Sequence, residues 1–178
     1  MGAIRFIVES ILWLVFFVFL LRVILQFARA DFRNPIAQFV VRVTNPLVLP
    51  LRRVVPPIGR VDLASIVALL AVHIAVFSIQ LWMISPVFPP APALLLLALE
   101  ALIQSVLKFY LVALILYAVL SWVAPGTYSP TSSILDSICE PILRPVRNIL
   151  PSIGGLDLSV LVVLILIGAL LQLFPLLR

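Results

Sequence analysis

The chain has 178 residues, of which 64% are hydrophobic, and carries twelve Lys and Arg, seven Asp and Glu and one His, for a formal net charge of +5. At a mean hydropathy of +1.30 there is too little polar surface to clothe a water-soluble globule, so the solvent of this protein is lipid. The positive balance would point to nucleic acid in a soluble chain. Here the arginines flank apolar runs and read as topology signals and headgroup contacts, and Arg52-Arg53 is too short a run to argue for nucleic-acid binding.

The first apolar run, about residues 4–27, exceeds the roughly 20 residues needed to cross a bilayer. Its length, Glu9 within it and the lack of a small-residue cleavage site predict a retained span rather than a secretory leader. Arg22, near its far end, is expected to snorkel to the interface. Residues 29–60 hold Arg29, Arg33, Arg42, Arg52, Arg53 and Arg60 against Asp31 and cannot lie in hydrocarbon. Asn34-Pro35 is a helix start, since Asn caps free amides and Pro at the first helical position gives up only an unused donor. Ile36, Phe39, Val40 and Val43 then recur at helical spacing, which predicts an amphipathic helix lying in the interface. Asn45-Pro46 repeats the start signal, and Pro50, Pro56 and Pro57 predict only a short helical piece over about 46–54, bent near Pro50, followed by a Pro-Pro-Ile-Gly turn.

The second span runs over about 62–85, opened by Asp62 as a helix cap and closed by Pro86, Pro89, Pro90 and Pro92. The single histidine, His73, lies in mid-span and reads as a packed neutral imidazole. The third span, about 94–123, contains Glu100, Gln104 and Lys108, whose spacing of four sets them along one side of a helix as an intramembrane polar stripe facing protein or water. The fourth span is expected over about 157–173. Cys139, the one cysteine, permits no internal disulfide and reads as a small apolar filler.

One stretch occurs twice. Residues 46–63 read PLVLPLRRVVPPIGRVDL, and 95 positions later residues 141–158 read PILRPVRNILPSIGGLDL. Without a gap, Pro46, Pro50, Arg52, Pro56, Ile58, Gly59, Asp62 and Leu63 meet Pro141, Pro145, Arg147, Pro151, Ile153, Gly154, Asp157 and Leu158. Each copy thus sets an arginine ten residues before an aspartate at a helix start, where the carboxylate caps the helix and pairs with Arg52 or Arg147 to fold the surface segment back. The two arginines are also suited to lipid phosphates. The predicted fold is an all-α membrane protein with four transmembrane helices, arranged as two parallel helix–amphipathic segment–helix repeats over 1–92 and 93–178. Both proline-rich segments then lie on one face with eight arginines between them. The linker 86–92 has none, so the positive-inside rule places the segments in the cytoplasm.

The ordered Pro, Arg, Pro, Ile-Gly and Asp of both copies, with Glu140-Pro141 and Arg144-Pro145 in the second, resembles the signature of the YggT family of small bacterial and plastid membrane proteins. The first copy departs from it, with Asn45 and Leu49 where the second has Glu140 and Arg144. The resemblance implies a bacterial inner-membrane protein without an established catalytic residue, associated with membrane-protein assembly, cell-division surroundings or osmotic and ion stress.

The residues themselves assemble no glycine-rich phosphate loop, no paired metal ligands and no nucleophile with a base, so neither enzyme activity nor a cofactor or metal is expected. Two classes remain. One is a noncatalytic scaffold or assembly factor whose proline-arginine elements contact anionic lipid or a protein partner. The other is an ion transporter or channel using the Glu100, Gln104 and Lys108 stripe as a homo-oligomer, because four helices seldom enclose a lined pathway alone.

Overall fold

The computed structural model describes residues 2–59, 61–85, 87–123, 126, 128–149 and 157–173. They form six helices: α1 (Gly2–Phe27), α2 (Pro35–Val54), α3 (Leu63–Ile84), α4 (Ala91–Val123), α5 (Pro130–Arg147) and α6 (Leu158–Gln172). Among the described residues the only β-type pairing is an isolated bridge between Ile58 and Val61. It closes a turn in which Gly59 takes φ +60°, a left-handed conformation that costs glycine little.

Helices α1, α3 and α4 are long and apolar enough to cross a membrane, while α6 is apolar but only 15 residues long in the described range. Helix α1 ends beyond Phe27 with Arg29 at φ +52°, the left-handed turn that commonly stops a helix. Helix α3 begins after Asp62, and α4, at 33 residues, is longer than one crossing requires.

One compact unit comprises Met1–Phe27 and Gln38–Leu99. In it α1 packs on α3, burying Phe16, Phe19, Leu20, Val23 and Ile24 on one helix and Ala64, Ala68, Leu69 and Val76 on the other. Lipid tails are as apolar as these side chains, so packing rather than exclusion from solvent holds the pair. Ala64 and Ala68, one turn apart, let the backbones approach. Helix α2 contributes Val40, Thr44 and Val48, a stripe at helical spacing.

The second unit comprises Ala28–Ala37 and Glu100–Arg178. Here α5 packs on α6, with Ile134, Leu135, Ile138, Cys139 and Leu143 of α5 buried alongside Ser159, Val160, Val163 and Ile167 of α6. Both surface helices start at a capped proline. The Asn34 side chain accepts from the Ile36 amide at 2.9 Å and donates to the Pro130 carbonyl at 2.7 Å, and Ser129 and Ser132 form a reciprocal capping box.

The expected break in the first surface segment does not occur, because α2 runs unbroken through Pro46 and Pro50. Each proline forfeits one helical hydrogen bond. A spacing of four, however, puts both on one side of the helix, and that side is exposed, so the carbonyls they free stay accessible to polar surroundings. Helix α5 carries Pro141 and Pro145 in the same exposed register. The helix stops only where Pro56 and Pro57 follow in succession.

Candidate functional site

In the first unit the guanidinium of Arg52, at the end of α2, grips the Asp62 carboxylate that precedes α3, with Nε 3.2 Å from both oxygens and Nη2 closer still to Oδ2. The bond joins residues ten apart and ties the surface helix to the start of the next one. Asp62 stands at the N-cap of α3, but its side chain accepts no helix amide. It takes the Ser65 hydroxyl at 2.7 Å instead, having been claimed by arginine.

The centre of this junction is a residue expected to snorkel. Arg22 is buried, with only 5% of its surface exposed. Its Nε donates to Ser65 Oγ at 2.8 Å. Its Nη1 donates to Thr44 Oγ1 at 2.6 Å, Asn45 Oδ1 at 3.0 Å and the Val41 carbonyl at 3.3 Å, while Nη2 lies 3.7 Å from Asp62. One guanidinium therefore holds α1, α2 and α3 together, a use of its fork-shaped donor set that lysine cannot reproduce.

In the second unit Arg147 donates to Asp157 at 2.7 Å, Glu140 at 2.6 Å and the Tyr117 hydroxyl at 2.9 Å. Asp157 also accepts from the Ser159 amide at 3.0 Å and so does cap its helix. The 95-residue offset maps Arg22 onto Tyr117, Thr44 onto Cys139 and Asn45 onto Glu140. The two junctions share the Arg–Asp clasp and differ in its surroundings: a buried cation and an amide in the first, a phenol and a second carboxylate in the second.

Burial alone would raise both aspartates. Their arginine and serine bonds, with the nearby positive charges, outweigh it and hold both carboxyls below the ordinary range. Arg147 is pulled down by burial, but Tyr117 and Asp157 raise it above the usual arginine value. Asp136 goes the other way, raised by burial and by the Glu140 charge. Carboxyls depressed in the fold contribute stability above the unfolded pKa of about 3.9 that is lost as pH falls through their folded values. Stability is therefore expected to hold from pH 7 to about 5 and to fall below about 4, in an acid limb that Asp62→Asn plus Asp157→Asn flattens in pH-dependent unfolding measurements. Asp136, with the opposite shift, adds nothing to that limb.

The remaining motif residues are peripheral to the clasps. Pro46, Pro50, Pro56, Gly59, Pro141, Arg144 and Pro145 are exposed, and Pro151 and Gly154 lie outside the described residues. Cys139 is fully buried and its thiol is pushed up to about 12, mainly by desolvation, which makes it an inert filler.

The polar stripe is continuous along α4. Lys108 Nζ donates to Gln104 Oε1, and Gln104 Nε2 to Glu100 Oε1, each at 3.4 Å. Glu100 and Gln104 are buried and Lys108 is exposed. His73 is buried against Phe16 and Phe77, its Nε2 2.7 Å from the Ala98 carbonyl, which makes it a polar tie between α3 and α4. Arg5 and Glu9 form an exposed pair one turn apart. Among the described residues no group of three His, Cys, Asp or Glu is placed to hold a metal ion.

Comparison with known proteins gives a consistent result. The CCB3/YggT family profile matches residues 1–83 and 96–177. An uncharacterised Pseudomonas aeruginosa protein is 44% identical over 155 residues, covering 86% of this chain and 79% of its own. An uncharacterised Vibrio alginolyticus protein from the proC 3′ region is 38% identical over 93% of this chain and 89% of its own. The uncharacterised Escherichia coli K12 protein YggT is 36% identical over 94% and 86%. No solved structure matches. With an all-helical fold and three membrane-length apolar helices among the described residues, and a match reaching both clasps, the chain belongs to the CCB3/YggT family.

Proposed function

We propose that this protein is a noncatalytic multi-pass scaffold or assembly factor of the bacterial inner membrane. Four spans form two parallel repeats that hold two proline-arginine elements at the cytoplasmic surface for contact with lipid and a protein partner. The observation that carries this reading is the recurrence of the clasp. Arg52 with Asp62 and Arg147 with Asp157 both tie the end of a surface helix to the start of an apolar one. Exposed charge pairs of this kind add little stability and are better suited to fixing geometry. A surface helix held at a set angle is a docking element. α5 supplies such a surface, exposing Thr131, Asp136, Glu140 and Arg144 around its paired prolines.

The test is photocrosslinking in cells from benzoylphenylalanine at Thr131. Discrete protein adducts are expected, reduced at least severalfold by Arg147→Ala. A second reading, an oligomeric ion transporter acting in osmotic or ion homeostasis, draws on the exposed ammonium of Lys108 within a membrane-length helix. No adducts from α5, together with Lys108-dependent ion flux in liposomes, would replace the first reading by the second.

A further inference from the structure

The two surface helices differ in a way that their shared proline pattern conceals. Helix α2 contains Arg42, Arg52 and Arg53 and no acidic residue, whereas α5 balances Arg144 and Arg147 against Asp136 and Glu140. Their apolar faces differ too. On α2, Phe39 is 61% exposed and Val43 48%; the residues 95 positions on, Ile134 and Ile138 of α5, are 6% and 2% exposed. Leu47, Leu49 and Val54 extend the exposed apolar surface of α2, while α5 exposes no large apolar side chain.

Around α2 these features form a pattern. At 3.6 residues per turn, Phe39, Val43, Leu47 and Val54 fall within about 80° of one another, and Arg42 and Arg53 lie about 20° apart on the flank of that strip. The face toward the protein is a separate one, made by Val40, Thr44 and Val48. Arg52 is engaged by Asp62, while Arg42 and Arg53 are exposed. An apolar strip edged by guanidinium groups matches the boundary between acyl chains and phosphates, where apolar burial and attraction to negative headgroups act together.

We infer that α2 alone is the lipid-binding element of the pair, seated in the headgroup layer with Phe39, Val43 and Leu47 among acyl chains and Arg42 and Arg53 on the phosphates of anionic phospholipid. This rests on the reading of both elements as contact surfaces and assigns them different partners. The charge-balanced, apolar-poor α5 is left to face solution.

The experiment uses the full-length protein in vesicles of equal parts phosphatidylcholine and phosphatidylglycerol, with a fluorescent probe on Val43→Cys; the native cysteine is buried. Quenching by spin-labelled lipid and not by aqueous iodide is expected. Native mass spectrometry of lipid retained from the same mixture is expected to show enrichment of phosphatidylglycerol. Arg42→Gln plus Arg53→Gln should reduce this about 10- to 30-fold at low ionic strength, at roughly fivefold per arginine, while Arg144→Gln on α5 leaves it unchanged. Both changes are on exposed side chains, and unaltered helicity by circular dichroism confirms that the fold is kept.

Iodide quenching at position 43, or a probe screened from both quenchers as a protein-covered face would be, overturns the proposal. So does lipid retention that ignores the α2 arginines or depends equally on Arg144. The scaffold reading stands or falls separately, on crosslinks from α5 to protein.

Discussion

Replacing Arg22 by methionine is expected to destabilise the protein by about 3–5 kcal/mol, the cost of breaking a buried charged network by removing one partner. The methionine fills much of the volume, so the loss is electrostatic rather than a cavity. Asn45 Oδ1 and the Val41 carbonyl lose their bonds from Nη1, Ser65 loses the one from Nε, and Asp62 is left to Arg52 and Ser65. Thr44 suffers least, because its hydroxyl also donates to the Val40 carbonyl at 2.6 Å. Arg22→Lys is expected to recover less than half of the loss, since one ammonium cannot serve Ser65 on one side and Thr44 and Asn45 on the other. Reversible unfolding in mixed micelles, followed by circular dichroism, measures both. A cost below about 1 kcal/mol for the methionine variant would return Arg22 to the role of a snorkelling anchor.

The second large effect runs in the opposite direction. Lys108 lies nine residues before Tyr117 on α4, about 14 Å along the helix axis. Tyr117 bonds Arg147 at the clasp, which under the proposed topology lies at headgroup level. The Lys108 ammonium is thereby placed near the middle of a hydrocarbon core about 30 Å thick, with a long bond to Gln104. A lysine at that depth costs roughly 2.5–3.5 kcal/mol on insertion scales. For a scaffold that makes no use of the charge, Lys108→Met is expected to stabilise the protein by about 2 kcal/mol and to leave adducts from α5 intact. The same variant in sealed liposomes reads the alternative. Ion flux carried by the unaltered protein and abolished by Lys108→Met would show that the energetic burden is kept for transport.

The clasps were legible in the chain because identity at a fixed offset ignores the apolar background. Arg52 with Asp62 and Arg147 with Asp157 keep their spacing while most residues between them change. Arg22 was not, since hydropathy treats a lone arginine near the end of a span as an anchor. The offset holds a usable signal, because it sets Arg22 against Tyr117 and Asn45 against Glu140; Arg22, Tyr117 and Glu140 each touch a clasp, and Asn45 bonds Arg22. The continuity of α2 was missed for a different reason. Each proline by itself signals a helix break, whereas Pro46 and Pro50 share an exposed side of the helix. The division of labour between α2 and α5 depends on whether a strip is covered, as Phe39 and Ile134 illustrate, and burial of that kind has no local sequence code.

The ten-residue reach of each clasp also sets an order of events during synthesis. Asp62 leaves the ribosome only ten residues after Arg52, so α2 can be fastened to the start of α3 before most of α3 has emerged. Arg22 must wait for Ser65, 43 residues after it, and so closes its network onto an element already pinned. Local contacts incur less loop-closure entropy and form sooner. The nascent chain thus meets the membrane as a series of short pre-folded corners, each ready to guide the insertion of the helix that follows it.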